Sequence, residues 1–532
     1  MIKAKSIPRI LLAAGSLLAT QLPAKTFDLA TATVADINDA MDAGALTSEK
    51  LVQMYIDRIE AYDKKGPAVN CVIHLNPKAL EQARALDKER AESGPRSPIH
   101  GIPIVLKDLI DVAGLPTTGG FTPLGAPVPD RDATIVGRIH DAGGIILAKV
   151  STTNWFGNGF DETHPIGVSK NPYNLDYSPG GSSNGSGVAM AANFATLAIG
   201  TDTSVSVQSP SSNCSLVGMV GTYGMVSRAG IIPRGATQDR PGPMGRSVYD
   251  VATLFSIISG WDAEDFTTFN PIGHFPMSNW AEELDMPSLA GKRIGVLREM
   301  IPEGPEFEEG TAIFEKALVD MREAGAFIVD PILTGNPSIA DETSQPRLRT
   351  AEYEKIHFTN AYLARLGAKA PFKNVAEWME AVGEDKFSRR MVEAMSLESP
   401  DKSLDYQARY RTRVMYIALI EELMDRYELD AIVQPFTADP PPALDRERRR
   451  GDGNWWTASP GTNNLSSSLG LPAVVVPGGY TEETNLPISI QFIGKRFEDL
   501  DVLKIAYGYE QNSMNRVSPP TTPPLEGETF DY

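Results

Sequence analysis

A chain of 532 residues, 42% hydrophobic and 22% charged, can bury a sizeable core as one large domain or two ordinary ones. Its formal net charge of -19 argues against nucleic acid as a partner, because phosphate contacts need clustered Lys and Arg. The one basic run, Arg448 to Arg450, sits among Asp445, Glu447 and Asp452 and reads as a solvated loop.

Taken in chain order, Lys3, Lys5 and Arg9 precede an apolar run from Ile10 to Ala19, and Leu22-Pro23-Ala24 offers a small residue for cleavage. This is the pattern of a secretory signal over residues 1–24, the alternative being an ordinary N-terminus. The run is shorter than the roughly 20 residues that a spanning helix needs, and no other stretch is long and apolar enough for a membrane anchor. The expected location is therefore secreted or periplasmic.

From Val34 to Tyr62 the apolar spacing is helical, with Leu51, Met54, Tyr55 and Ile59 on one face and Thr47 or Ser48 as a cap. A charged helix follows within Asn76 to Ser93. Ile102 to Leu106 reads as a buried strand ending at Lys107-Asp108. Further strands are predicted at Gly144 to Ala148, Ala195 to Ile199, Lys292 to Leu297, Ala326 to Val329, Ala431 to Val433, Val474 to Val476 and Ile488 to Ile493. Helices are predicted at Ala133 to Ala142, Gly185 to Asn193 and Thr311 to Glu323. This alternation predicts an α/β fold with a sheet buried on both faces, as a single domain over residues 26–515. The proline-rich, acidic residues 516–532 read as a poorly ordered tail. Gln434 to Pro460, with Trp455 and Trp456, reads as a long loop able to cover a site.

Cys71 and Cys214 have no CxxC partner or adjacent histidine, so a thiolate metal site is not expected. Whether they pair is open, two buried free thiols being the plainer reading. None of the six histidines falls in an HExxH-like spacing. No GxSxG elbow is present either, and GGSSNGSG (Gly180 to Gly187) has no lysine after it as a phosphate loop requires. What remains for the serine-rich GTDTSVSVQSP (Gly200 to Pro210) is a serine activated by a desolvated lysine. Lys107, at the end of a buried strand, is the candidate, although on its own it reads as a surface lysine snorkelling from a strand end.

HGIPIVLKD (His100 to Asp108), SPGGSSNGSG (Ser178 to Gly187) and GTDTSVSVQSP together resemble the amidase signature family of serine hydrolases. Lys107, Ser182 and Ser206, spaced 75 and 24 residues apart, resemble its Lys-Ser-Ser set. Further stretches, among them AKVSTTNWFGNG, GTYGMVSRAGIIP, DRPGPMGRSVYD and LPISIQFIGKRFEDLDVLKIAYGYEQ, extend the likeness over roughly residues 30–512. The N-terminal half looks most like secreted or periplasmic peptide amidases. The resemblance implies a large mixed twisted sheet covered by helices on both faces. It implies Ser206 as nucleophile, Ser182 as a bridging serine after a cis Gly181 bond, and Lys107 as base. It also implies an oxyanion hole of N–H groups within Thr203 to Ser206, with Ser183, Asp202 and Gln208 among the substrate-binding positions. No cofactor or metal is expected, and the substrate is a small amide or peptide amide.

The chain departs from the family's GTDTGGSIR at Ser204, Val205 and Gln208, and GMVGTYG lacks the Lys-Pro of GLKPTYG. A β-branched Val205 would be strained if that position required positive φ; the expectation is that the hole survives with both residues in allowed geometry. Gln208 in place of arginine predicts neutral or apolar acyl groups. Competing readings are an ester or carbamate hydrolase with the same triad, an amidotransferase glutaminase subunit, and a catalytically silent binding protein. The sequence leaves the oligomeric state open.

Overall fold

The computed structural model describes residues 25–284, 289–445 and 464–532. The predicted signal segment, the basic run at Arg448 to Arg450 and the Trp455-Trp456 pair lie outside them.

Thirteen strands occur among the described residues. They are β1 (Thr26–Asp28), β2 (Val72–Leu75), β3 (Pro103–Lys107), β4 (Ile145–Val150), β5 (Leu197–Asp202), β6 (Val217–Val220) and β7 (Arg240–Gly245). The rest are β8 (Arg293–Val296), β9 (Phe327–Val329), β10 (Ala431–Pro435), β11 (Ala473–Tyr480), β12 (Pro487–Ile493) and β13 (Thr529–Asp531). Eleven form one sheet in the order β2-β4-β3-β5-β7-β6-β11-β12-β10-β8-β9. β4, β3 and β5 run parallel, as do β10, β8 and β9, while the strands between are antiparallel. The sheet is mixed and flanked by helices. β3, β4 and β5 are buried throughout, as near-continuous apolar runs covered on both faces should be.

The helices that position the site are α1 (Asn184–Ala191), α2 (Gln208–Asn213) and α3 (Ala351–Arg365). α1 carries glycine for a contact reason: a Cβ on Gly185 would lie 2.2 Å from the Ser151 amide nitrogen just after β4. β7, RPGPMG, escapes a strand reading because of Pro241 and Pro243. It pairs with β5 along its length but with β6 only at Met244 and Gly245, so the prolines fall where that side of the ladder is not yet formed.

Residues 516–532, expected as a loose tail, are instead docked. β13 pairs antiparallel with β1, and Arg58 Nη1 meets Glu528 Oε2 at 2.7 Å with both side chains almost wholly buried. The same guanidinium donates to the carbonyls of Ala192, Thr522 and Pro523. Proline content hid this, since the anchoring partners lie more than 460 residues away in the chain. Cys71 and Cys214 are buried free thiols. The described part of the predicted loop after Gln434 packs against the segment leading to the glycine-rich turn: Ser178 N donates to Pro442 O at 2.9 Å and Leu444 N to Asp176 O at 2.9 Å.

Candidate active site

The parallel neighbours β3 and β5 end side by side, and their C-terminal ends carry Lys107 and Thr201-Asp202. Lys107 is 0% exposed. Its ammonium donates to Ser182 Oγ at 2.7 Å, Thr201 Oγ1 at 2.9 Å and Thr201 O at 3.2 Å. No carboxylate lies in ion-pair contact with it among the described residues. The neighbouring buried lysine, Lys149, is by contrast neutralised by Asp108 at 2.9 Å. Burial pushes Lys107 well below the ordinary lysine value; Asp202 and Asp239 oppose this, and Arg234 adds to it. Its hydrogen bonds and the distant carboxylates do not replace the hydration that a buried ammonium loses, so the neutral amine is favoured.

Ser182 follows Gly181 through a cis peptide bond. Its carbonyl accepts from Thr153 N at 3.1 Å. Gly180 before it has φ +77° and lies so close to Ser209 that a Cβ would sit 2.7 Å from that hydroxyl. Ser183 stitches the turn to β5: its hydroxyl accepts from Thr201 N at 3.2 Å, and its N–H donates to Ser206 O at 3.2 Å. Lys107 and Ser182 are thus joined directly. Ser206 is brought to the same turn through its backbone, while its hydroxyl makes no hydrogen bond with Ser182 among the described residues. Such a link often tightens only when substrate is bound.

Neither Ser204 nor Val205 has positive φ, so glycine is not required at either position. Val205 is buried against Phe436 and Val475, and Ser204 is half-buried. The N–H groups of Ser204, Val205 and Ser206 donate to no acceptor among the described residues. Asp202 organises the turn, accepting from Val207 N at 2.9 Å and Ser467 Oγ at 3.1 Å. Thr203 Oγ1 donates to Asp239 Oδ1 at 2.7 Å.

Gln208 does not line the cavity beside Lys107 and Trp155. Its side chain is fully buried, donating to Ser467 Oγ at 2.9 Å and accepting from Gln491, which in turn accepts from Gln434. A preference for neutral acyl groups argued from Gln208 therefore loses its basis. No histidine bonds to Ser182 or Ser206 among the described residues; His100 and His164 turn a ring nitrogen to the carbonyls of Leu86 and Thr152. No cluster of metal-ligating side chains occurs among the described residues.

Three contributors escape the sequence reading. Thr201, inside the GTDT motif, shares the Lys107 ammonium with Ser182. Trp155 lies with its ring centroid 5.1 Å from Lys107 Nζ. Asp239 binds Thr203 on one oxygen and the amides of Arg234 and Gly235 on the other, at 2.7 and 2.9 Å. Trp155, Thr201 and Asp239 also line a cavity of about 260 Å³, whose wall continues through Ile231, Ile232 and Phe358.

The sequence model of the amidase family, described as "Amidase", matches residues 50–503. The chain belongs to the amidase family. As a member it is an enzyme, a hydrolase of carbon-nitrogen bonds. A probable amidase of Arabidopsis thaliana is 30% identical over 513 residues, covering 93% of this chain and 92% of the relative. A glutamyl-tRNA(Gln) amidotransferase subunit of Moorella thermoacetica is 30% identical over 495 residues, covering 90% of this chain and 96% of the relative. Among solved structures, the native peptide amidase of Stenotrophomonas maltophilia superposes with a TM-score of 0.79 at 32% identity, covering 93% of this chain and 99% of that one. The amidase fold thus accounts for the mixed sheet and for the convergence of β3, β5 and the glycine-rich turn.

Proposed function

We propose that this amidase hydrolyses small linear amides or peptide amides through an acyl-enzyme on Ser206. The observation that carries this reading is Lys107: fully buried, without a carboxylate partner among the described residues, and 2.7 Å from Ser182 Oγ. Ser206 Oγ attacks the carbonyl carbon as its proton passes to Ser182 and that of Ser182 to neutral Lys107. The free amides of Ser204 to Ser206 receive the developing oxyanion. The carbon-nitrogen bond breaks as the relay returns the proton to the leaving nitrogen. Water, deprotonated by the same relay, then releases the acid and restores Ser206.

The likeness to a peptide amidase favours this over the amidotransferase reading, which the similarly related amidotransferase component of Moorella thermoacetica keeps in view. A silent binding protein has no use for an unpaired buried lysine. The test is a panel of p-nitroanilides, peptide amides, esters and carbamates against wild type and Ser206→Ala. Activity surviving in Ser206→Ala refutes the mechanism, and activity confined to esters or carbamates refutes the substrate class.

Export belongs to the same proposal and rests on Lys3, Lys5, Arg9 and the apolar run after them. Fractionation with N-terminal sequencing is expected to find a mature chain beginning near Lys25. Recovery of an uncut chain from the cytosol overturns it.

A further inference from the structure

Beside Trp155, on the turn that Asp239 anchors, the chain gathers more positive charge than it neutralises. Arg234 lies over the indole ring that Lys107 also faces, 5.4 Å from its centroid. Its Nη2 is 3.8 Å from Glu352, and Arg349 Nε is 3.4 Å from the same carboxylate. Neither contact is a hydrogen bond, and Nε of both arginines lacks a hydrogen-bond partner among the described residues. Lys355, one turn beyond Glu352 on α3, is 2% exposed. It has neither a hydrogen bond nor an ion pair among the described residues. Arg390 adds a fourth positive charge to Arg234, Arg349 and Lys355, against the carboxylates of Glu352 and Asp239, so positive charge exceeds negative in the cluster.

The crowding registers in each member. Burial, with Arg234, Arg349 and Arg390 nearby, pushes Lys355 down to about 7. Arg349 falls to about 9, and Glu352, although burial opposes it, is drawn down to about 2 by the surrounding cations. Uncompensated buried charge is costly, and its presence calls for an opposite charge.

The cluster is built rather than incidental. Gln238 Oε1 accepts from Thr350 N and Ala351 N at 3.0 and 3.2 Å, and Glu354 accepts from Thr237 N at 3.1 Å, locking the start of α3 to the 234–239 turn. Asp239 ties that turn to Thr203, one residue before Ser204. The position of the arginines is thereby fixed relative to the Ser206 turn.

We propose that Arg234, Arg349 and Lys355 form an anion subsite of this enzyme, selecting amides that carry a carboxylate. The carboxylate takes the place that Glu352 fills only in part, and two guanidinium groups offer it paired donors. This rests on the amide-hydrolase reading above and gives it a substrate class opposite to the one Gln208 predicts.

The test compares matched substrates: glutaryl- against valeryl-p-nitroanilide for a carboxylate on the acyl side, and N-acetyl-4-aminobenzoate against acetanilide for one on the amine side. In at least one pair the anionic member is expected to be favoured in kcat/KM by about tenfold or more. That ratio should collapse toward one in Lys355→Met and in Arg234→Met. Calorimetric titration of glutarate into the Ser206→Ala protein supplies a reading free of turnover: saturable binding, lost in the additional Lys355→Met variant. If Lys355 is merely a strained buried cation, Lys355→Met raises Tm without moving the ratio or the binding, and the proposal falls. It falls equally if neither pair favours the anion and glutarate does not bind. Glutarate binding lost with Lys355, in a protein that hydrolyses none of the amides, keeps the anion site and overturns the hydrolase reading instead.

Discussion

At the scale of single residues, Lys107 and Val205 carry the sharpest expectations. Lys107 must be neutral to accept a proton, and burial lowers it well below its ordinary 10.5. Activity is therefore expected to rise with pH along a limb that is complete far below that value, and Lys107→Met to lose at least about a hundredfold in kcat. A limb near the ordinary lysine range in the kcat/KM profile would contradict this. Val205→Gly restores the family's glycine but empties a buried contact with Phe436 and Val475. It is expected to cost about 2 kcal/mol in denaturant melts while Ser206 keeps its reactivity to a fluorophosphonate. Motifs singled out Lys107, Ser182 and Ser206 in the sequence, and the fold joins Lys107 to Ser182 directly and Ser206 to the same turn through its backbone. Local pattern misread Gln208, whose side chain turns toward Gln491 in β12, a neighbour 283 residues away that no local spacing displays. Arg234, Arg349 and Lys355 were missed for a related reason: singly each looks like surface charge, and only the fold assembles them.

At the scale of elements, Asp239 matters because one carboxylate holds two turns, bonding Thr203 on one side and the Arg234 and Gly235 amides on the other. Asp239→Ala is expected to lower kcat by about ten- to hundredfold with a smaller change in KM, since the Ser206 turn loses its anchor. Asp239→Asn should rescue most of it, because the Thr203 hydroxyl can turn to accept from the new amide. The asparagine also removes a negative charge that raises Lys107, so the ascending limb of its pH profile should move to lower pH. A limb unmoved or shifted upward counts against the assignment of Lys107. Elements were legible where apolar runs were long, as in β3, β4 and β5. They were hidden where composition argued against structure: RPGPMG holds an interior place in the sheet because its prolines fall where the ladder to β6 has not begun.

At the scale of the whole molecule, the two extremities of the described chain depend on each other. Replacing Glu528 by Ala leaves Arg58 buried without its carboxylate, a loss of about 3–5 kcal/mol by analogy with other broken buried pairs. Removing residues 518–532 strips Arg58 of its carboxylate and of the Thr522 and Pro523 carbonyls and is expected to lower stability as well. A thermal melt unchanged by either alteration would show that the docking is dispensable. Apolar runs marked most strands of the large sheet. The clasp between β1 and β13 was not legible in this way, since it depends on pairing across 505 residues, as between Thr26 and Asp531.

That clasp sets an order of assembly. When the residues of β1 leave the ribosome, their partner strand has not been made, and loop closure over such a separation comes late. The sheet that holds the candidate active site needs neither β1 nor β13 for its own pairing. Its strands can therefore be completed while the clasp is still open, and β13 closes it once synthesis is nearly over.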